Sequence, residues 1–307
     1  MKGVFRLEIP NSFELSLVSK TYRKTIWSKF LKGVKDYQLI QEGDRIAVCI
    51  SGGKDSMLMA MCMKRLQRYS KFPFEVVFLV MDPGYNPANR QKIIDNAARL
   101  EIPIRIFDTQ IFGAVVNIEQ NPCYLCARMR RGWLYKTAKD MGCNKIALGH
   151  HFDDVIETVL MGMLYGSQVQ TMMPKLHSEH FEGMELIRPL YLVREADVIG
   201  WSKHNGLEFI QCACRFTDEY THSGDGIGDS KRQEVKMLLA ELRKKTPAVD
   251  MNIFRSVENV NLRTIISYRK DGEHHHFLDD YDEGKSVYGT VADGSEVVDL
   301  EARNRSV

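Results

Sequence analysis

The chain has 307 residues, 44% of them apolar and 27% charged, with a formal net charge of +2. This is the composition of a soluble globular protein, long enough for one large or two modest domains. No run approaches the roughly 18 apolar residues that a membrane helix requires, and the start "MKGVFRLEIPNSFELS" lacks a signal-peptide core, so the expectation is a cytoplasmic protein with no membrane association.

Charge is unevenly placed along the chain. Residues 1–40 hold eight Lys/Arg against three acids, and residues 12–40 read as one or two basic helices. A basic arm suits a polyanionic partner, although a charge run is more often a solvated face. From Asp44 onward, short β-rich runs alternate with helical ones. The expected strands are Arg45–Ile50, Glu75–Met81, Pro103–Phe107 and Lys145–Leu148, with helices near 54–70, 88–101, 124–141 and 153–165. Strand–helix–strand repetition at this spacing predicts an α/β fold: a parallel, Rossmann-like sheet with helices on both faces. Residues 166–200 read as an irregular second half with a helix from about 194 to 205. The Gly-rich "HSGDGIGDS" precedes a charged helix at about 230–245. The last 25 or so residues are acidic and aperiodic. The expected organisation is therefore a basic helical segment over 1–40, one α/β domain over 41–245 and a partly disordered extension over 246–307.

The first βα corner reads Ser51-Gly52-Gly53-Lys54-Asp55-Ser56. Two glycines let the backbone approach a ligand and aim its N–H groups, the helix beginning near Lys54 adds its positive end, and Lys54 with the hydroxyls of Ser51 and Ser56 favours phosphate. The spacing is too short for the G-x-x-x-x-G-K-[ST] loop.

Seven cysteines in a cytosolic chain read as core residues, metal ligands or catalytic thiols rather than disulfides. Cys49, Cys62 and Cys143 fit apolar patterns. Cys123-x-x-Cys126 sets two sulfurs one helical turn apart at a helix N-terminus, which favours thiolates and a shared metal centre; Cys212 and Cys214 add a second, distant pair. On the helix after Cys126, the residues Met129, Trp133, Leu134, Ala138 and Met141 form an expected buried stripe. Arg128 and Arg131 lie off it and Arg130 at its edge, a candidate phosphodiester-binding set or a solvated face. Next, "GHHFDD" ends a strand at Gly149-His150-His151, and Asp153 and Asp154 open a helix. Capping accounts for one carboxylate; the second is a candidate for Mg2+ or for acid–base work. His150 and His151 read as polar contacts, and His274-His275-His276 as solvent-exposed.

S-G-G-x-D-S directly after a first parallel strand resembles the PP-loop of the N-type ATP pyrophosphatases. That resemblance implies that Ser51 to Ser56 cradle ATP, that Asp55 lies near the metal-bound phosphates, and that the strand end at Met81 and Asp82 borders the nucleoside; Asp82 as a plain turn former is the alternative. The set S-G-G-K-D-S, P-C-Y-L-C-A-R-M-R-R-G, A-L-G-H-H-F-D-D, I-R-P-L and a late cysteine pair resembles the tRNA 2-thiocytidine synthetase family, TtcA, over residues 20–245. The family implies an ATP-dependent enzyme that thiolates C2 of a cytidine, position 32 of the tRNA anticodon loop. It further implies a [4Fe-4S] cluster held by three cysteines with the fourth iron open for sulfide. Carried onto this chain, Lys54, Asp55 and Asp154 are the catalytic residues, Ser51, Gly52, Gly53, Lys54, Asp55, Ser56, Met81, Asp82 and Gly149 bind ATP, and Asp153 and Asp154 hold Mg2+. Cys123, Cys126 and Cys214 are the cluster ligands, with Cys212 in reserve because the family's C-x-x-C is here C-x-C. The expected partners are tRNA, held by Arg128, Arg130 and Arg131, and a sulfur donor (cysteine desulfurase or free sulfide), with a homodimer as the expected assembly.

The chemistry is coherent from below. Adenylating the C2 oxygen makes it a leaving group, and a positioned sulfide replaces a dilute bimolecular attack. Three alternatives stay open on sequence alone: a PP-loop ligase with zinc on its cysteines, a cluster-bearing ATP sensor without turnover, and a thiolase acting at another tRNA position or on a small molecule.

Overall fold

The computed structural model describes residues 11–115, 122–210, 227–279 and 281. The chain divides into two compact units, residues 1–254 and 255–307.

The first unit is built on a six-stranded sheet. Its strands are β1 (Arg45–Ile50), β2 (Glu75–Asp82), β3 (Ile104–Asp108), β4 (Lys145–Ala147), β5 (Lys175–His177) and β6 (Glu185–Ile187), arranged in the order β3-β2-β1-β4-β6-β5. All pairings are parallel except β5 with β6. The helices are α1 (Ser12–Val18), α2 (Ser28–Asp36), α3 (Lys54–Tyr69), α4 (Pro87–Arg99), α5 (Ile111–Val115), α6 (Pro122–Asp140), α7 (Phe152–Gly166), α8 (Glu195–His204), α9 (Ile227–Lys245) and α10 (Val249–Ser256), with a π-helical turn at Arg23–Trp27. Among these described residues, no helix is long and apolar enough to cross a membrane.

The α/β core matches the expectation, and residues 166–200 correct it. That stretch is not merely irregular: it supplies β5 and β6, which widen the sheet from four strands to six. Each is only three residues long, too short to show a period of two.

Alternation along β1 sorts the two faces. Ile46, Val48 and Ile50 join one core with α3, α4 and α8, while Ala47 and Cys49 join the other with Tyr135 and Ala138 of α6. The N-terminal helices belong to the first core through Leu17, Ile26 and Phe30, all fully buried, while Lys20, Arg23, Lys24, Lys29, Lys32 and Lys35 stay exposed. A third cluster packs Phe152, Val155 and Ile156 of α7 against Val235 and Leu239 of α9. On α6 the buried pair is Tyr135 and Ala138; Trp133, expected inside, is 42% exposed, lying to one side of that pair with Lys136 over its ring. Cys49, Cys62 and Cys143 are buried, as expected.

Beneath the sheet, Lys145 is 3% exposed and its Nζ lies 2.9 Å from Asp44 and 2.9 Å from Glu185, donating also to the Leu39 carbonyl. This ion pair fastens the approach to β1 onto β4.

The second unit contains a hairpin, β7 (Ser267–Lys270) with β8 (Glu273–His276), turning at Asp271-Gly272 with φ of 52° and 86°. Asp-Gly with both residues left-handed is the type I′ pattern, a signal that the expectation of a partly disordered extension over 246–307 passed over. His274, His275 and His276 lie on β8, and His275 stacks on Tyr268 across the pair at 4.7 Å. The acidic residues beyond 281 lie outside the described residues.

Candidate active site

The strand order reverses direction between β1 and β4. The chain builds outward from β1 to β3 and then returns to lay β4 on the opposite edge of β1. In parallel sheets the carboxyl ends of such neighbours leave a crevice for ligands. Both glycine-bearing loops, Ser51–Gly53 and Leu148–His151, leave those two ends.

Local geometry explains the glycines. Gly52 has φ of +85°, and a Cβ there would stand 2.6 Å from Ile93 Cγ1 and 2.7 Å from Ile210 Cδ1. Gly149 lies against the start of α3, where a Cβ would stand 3.0 Å from the Ser56 nitrogen and 3.1 Å from the Asp55 carbonyl carbon. Between them the Ser56 hydroxyl donates to the Gly53 carbonyl at 2.9 Å and accepts from the Ser51 amide and hydroxyl, each at 3.2 Å. Gly53 caps α3 without a side chain, so the free amides of the first turn keep their positive end for a ligand.

Charges converge on this corner. Lys54 Nζ lies 3.1 Å from Asp55 Oδ2 and 3.1 Å from Glu195 Oε1, the first residue of α8. Burial works to lower the Lys54 pKa, but Asp55 and Glu195 together hold it above its usual value. Burial alone would raise the Glu195 carboxyl; the hydrogen bond and charge of Lys54 hold it below its usual range instead. Lys236 of α9 reaches the other Glu195 oxygen at 3.4 Å. Asp55 Oδ1 is buried with no hydrogen-bond partner among the described residues, and His151 Nε2 stands 3.7 Å from it.

The two aspartates of "FDD" separate in role. His151, not an aspartate, is the N-cap of α7: its ring accepts from the Asp154 amide while Asp154 Oδ2 accepts from the His151 amide at 2.9 Å, a reciprocal capping box. Asp153 turns away from the crevice. One of its oxygens accepts from the Glu195 amide at 2.7 Å and the other from Arg243 at 2.7 Å, so the expectation that it holds Mg2+ is corrected: both oxygens already have protein donors. Asp154 stays on the crevice wall with Asp55.

The crevice encloses about 460 Å³, within the range of small-molecule sites. Ser51, Asp55, Ser56, Gly149, His150, His151, Asp154, Glu195 and Lys236 make its polar wall; Ile50, Met81, Leu134 and Leu148 make the apolar one. His150 is pushed down to about 4, by burial first and the nearby Arg188 second, so it is neutral at neutral pH. Met81 faces the cavity as expected. Asp82 does not line it: its Oδ1 accepts from the amides of Gly84 at 2.8 Å and Tyr85 at 2.7 Å, and its Oδ2 pairs with Arg90, which makes it the turn former of the alternative reading.

Cys123 sits in the first turn of α6, and Cys126, half-buried, packs one turn later beside Met81, Ile111 and Leu134. The side chain of Cys123, and all of Cys212 and Cys214, lie outside the described residues. Among the described residues, no three His, Cys, Asp or Glu side chains gather as a metal site. The same helix carries Arg130 and Arg131 to the cavity wall, while Arg128 is exposed and does not line it. The donor set fits an ATP phosphate well, with a lysine, two hydroxyls and a free helix end. For Mg2+, Asp55 and Asp154 are the carboxylates available.

Glu195 and Lys236 escaped the sequence reading. Glu195 follows "IRPLYLVR" closely enough to have been a candidate. Lys236 carries no local signal, since its place depends on how α9 crosses α7.

The PP-loop domain family matches residues 23–223. The tRNA-cytidine(32) 2-sulfurtransferase of Geobacter sulfurreducens is 34% identical over 239 residues, covering 76% of this chain and 89% of its own. That of Alkalilimnicola ehrlichii is 32% identical over 292 residues, covering 94% and 86%. Among solved structures, the U34-tRNA thiolase NcsA from Methanococcus maripaludis, determined with its [4Fe-4S] cluster, superposes with a TM-score of 0.59 at 22% identity, over 75% of this chain and 76% of its own, a likeness of fold.

Proposed function

The chain belongs to the PP-loop family and, within it, to the tRNA-cytidine(32) 2-sulfurtransferases, TtcA, a family of transferases; from that premise we propose that it uses ATP to adenylate the C2 oxygen of cytidine 32 in the tRNA anticodon loop, releasing pyrophosphate, and that sulfide at C2 then displaces this oxygen as AMP. One observation carries the reading. The helix that opens with Cys123-x-x-Cys126 also carries Arg130 and Arg131, which line the cavity together with Ser51, Asp55 and Ser56, and this supports reading the thiols and the phosphate-binding corner as parts of one site.

In this reading Ser51, Ser56 and the amides at the start of α3 bind the ATP phosphates, and Lys54 leaves Glu195 to follow the charge of the departing pyrophosphate. Ile50 and Met81 pack against the nucleoside. Asp154, fixed by its capping box with His151, holds either Mg2+ with Asp55 or a proton near C2. Arg130 and Arg131 hold the tRNA backbone beside the cavity, and the target base leaves its stack to enter at a cost of a few kcal/mol. Cys123, Cys126 and Cys214, with Cys212 in reserve, would hold a [4Fe-4S] cluster, which when bound supplies the sulfide beside the activated carbon. The sulfur comes as free sulfide, or as the persulfide of a cysteine desulfurase together with a two-electron thiol reductant that releases it as sulfide.

Anaerobic purification with iron, sulfide and zinc quantified, followed by ATP-dependent turnover on tRNA read by nucleoside mass spectrometry, tests this. About four irons per chain and ATP-dependent 2-thiocytidine are expected, four being the count of one such cluster. A colourless protein with one zinc, or product formed equally without ATP, overturns it.

A further inference from the structure

α9 lies beyond the matched PP-loop region, yet it reaches the site. Val235 and Leu239, at 0% and 1% exposure, anchor it against Val155 and Ile156 of α7. That anchoring turns Arg232 and Lys236, one helical turn apart, toward the carboxylates of α7. Lys236 Nζ stands 3.7 Å from Glu157 Oε1, and Arg232 Nε stands 3.6 Å from Glu157 Oε2 with a guanidinium nitrogen 3.7 Å from Asp154.

Glu157 is the unusual member. Its side chain is 3% exposed, and its Oε2 has no hydrogen-bond partner among the described residues. Burial pushes its carboxyl up, while Lys236 and Arg232 pull it down. A buried carboxylate with no hydrogen bond at one oxygen is costly, so its presence beneath a lysine calls for a reason beyond stability.

Lys236 also holds Glu195 Oε2, while Lys54 of the PP-loop holds Oε1 of the same carboxylate. Two lysines from opposite ends of the domain thus bracket one anionic group on the cavity wall. A carboxylate offers two oxygens to this pair; a phosphate offers three, with greater charge.

We propose that Lys236 is a phosphate-contact residue for the pyrophosphate end of a nucleoside triphosphate, exchanging Glu195 for the ligand together with Lys54, and that Glu157 is the buried carboxylate that aims it. This rests on the ATP site proposed above. The class of ligand it selects is a nucleotide carrying a β,γ-diphosphate, or free pyrophosphate, over a monophosphate.

Calorimetric titration of the full chain with ATP, pyrophosphate and AMP tests it. Lys236→Met is expected to weaken ATP and pyrophosphate by about 10- to 100-fold, the worth of one charged hydrogen bond, and to leave AMP unchanged. Because Lys236→Met leaves the buried Glu157 with Arg232 as its remaining cation, the double variant Lys236→Met/Glu157→Gln removes both charges; it should fold, by thermal melt, and show the same loss for ATP. Wild-type ATP affinity in the folded double variant, or an equal loss for AMP, overturns the role of Lys236 while leaving the ATP site standing. A wild-type protein that binds no ATP overturns the site itself.

Discussion

A Cβ on Gly149 would stand 3.0 Å from the backbone nitrogen of Ser56, although the two residues belong to loops far apart in the chain. The obstacle is backbone, not a side-chain tip that can swing aside. Gly149→Ala should therefore push the β4 loop off the start of α3. The expected cost is about 1–3 kcal/mol of stability, the usual range for overpacking. ATP affinity should fall with it. Calorimetric melting and nucleotide titration measure the two; a neutral substitution on both counts would show that the loops move freely past each other.

Lys54 bridges Asp55 and Glu195 at 3.1 Å each, on a partly exposed corner. Its loss should leave the fold standing, since Lys236 still neutralises Glu195. Lys54→Ala is expected to reduce ATP-dependent thiolation at least ~100-fold, in line with the removal of one charge-stabilising donor. Full turnover in this variant would end the phosphate-cradle reading.

For the thiols the expectation is compositional. Cys123→Ala and Cys126→Ser, purified without oxygen, should each lose most of the cluster iron, whereas Cys143→Ala, a residue buried among Tyr135, Ala138 and Ile146, should retain it. Undiminished iron in either of the first two variants removes that cysteine from the ligand set.

His150 titrates near 4 in the folded chain, below the ordinary histidine value of 6.5, because burial and Arg188 disfavour its proton. The unfolded chain binds that proton more readily between these values. Stability contributed by the neutral ring is thus complete above about pH 6.5 and declines as pH falls toward 4. Melting temperature followed from pH 7 to pH 4 should drop, and His150→Gln should flatten part of that slope. Identical slopes in the two proteins would refute the assignment.

Lys145 offers a test of the scaffold alone. Two carboxylates and a carbonyl surround its buried ammonium. Lys145→Met leaves Asp44 buried without its cation, hydrogen-bonded by the Gln41 amide and Asn144 alone, and a loss of about 3–5 kcal/mol is expected from chemical denaturation. A loss below 1 kcal/mol would mean that water reaches Asp44 readily.

What could be read from sequence was what is local. "SGGKDS" and "GHHFDD" each carry their chemistry within six residues, and strand-end placement followed from apolar runs of five or six residues such as Arg45–Ile50. Roles decided by distant partners stayed hidden. Asp153 and Asp154 look equivalent in the chain, and only the approach of the Glu195 amide and Arg243 separates them. Asp82 is different: the amides of Gly84 and Tyr85 and the guanidinium of Arg90 that claim its oxygens are sequence neighbours, so its role as a turn former is local. Glu195 and Lys236 belong to the site through the packing of α8 and α9, which no short-range pattern encodes. β5 and β6 are held by their neighbours rather than by propensity, and unlike the equally short β4 neither leads into a glycine-bearing motif that marks a strand end.

The β1–β4 junction also governs how the molecule is made. β2 reaches β1 after a single helix, but β4 is synthesised only after β2, β3 and three further helices, so Ile46, Ala47 and Val48 wait with an unpaired edge. At about 5–20 residues per second that wait is on the order of ten seconds for a nascent chain. Through it the half-sheet presents an apolar parallel edge open to wrong partners, and the crevice has no second wall. Nucleotide bound in that crevice can therefore stabilise only a chain in which β4 has already joined β1.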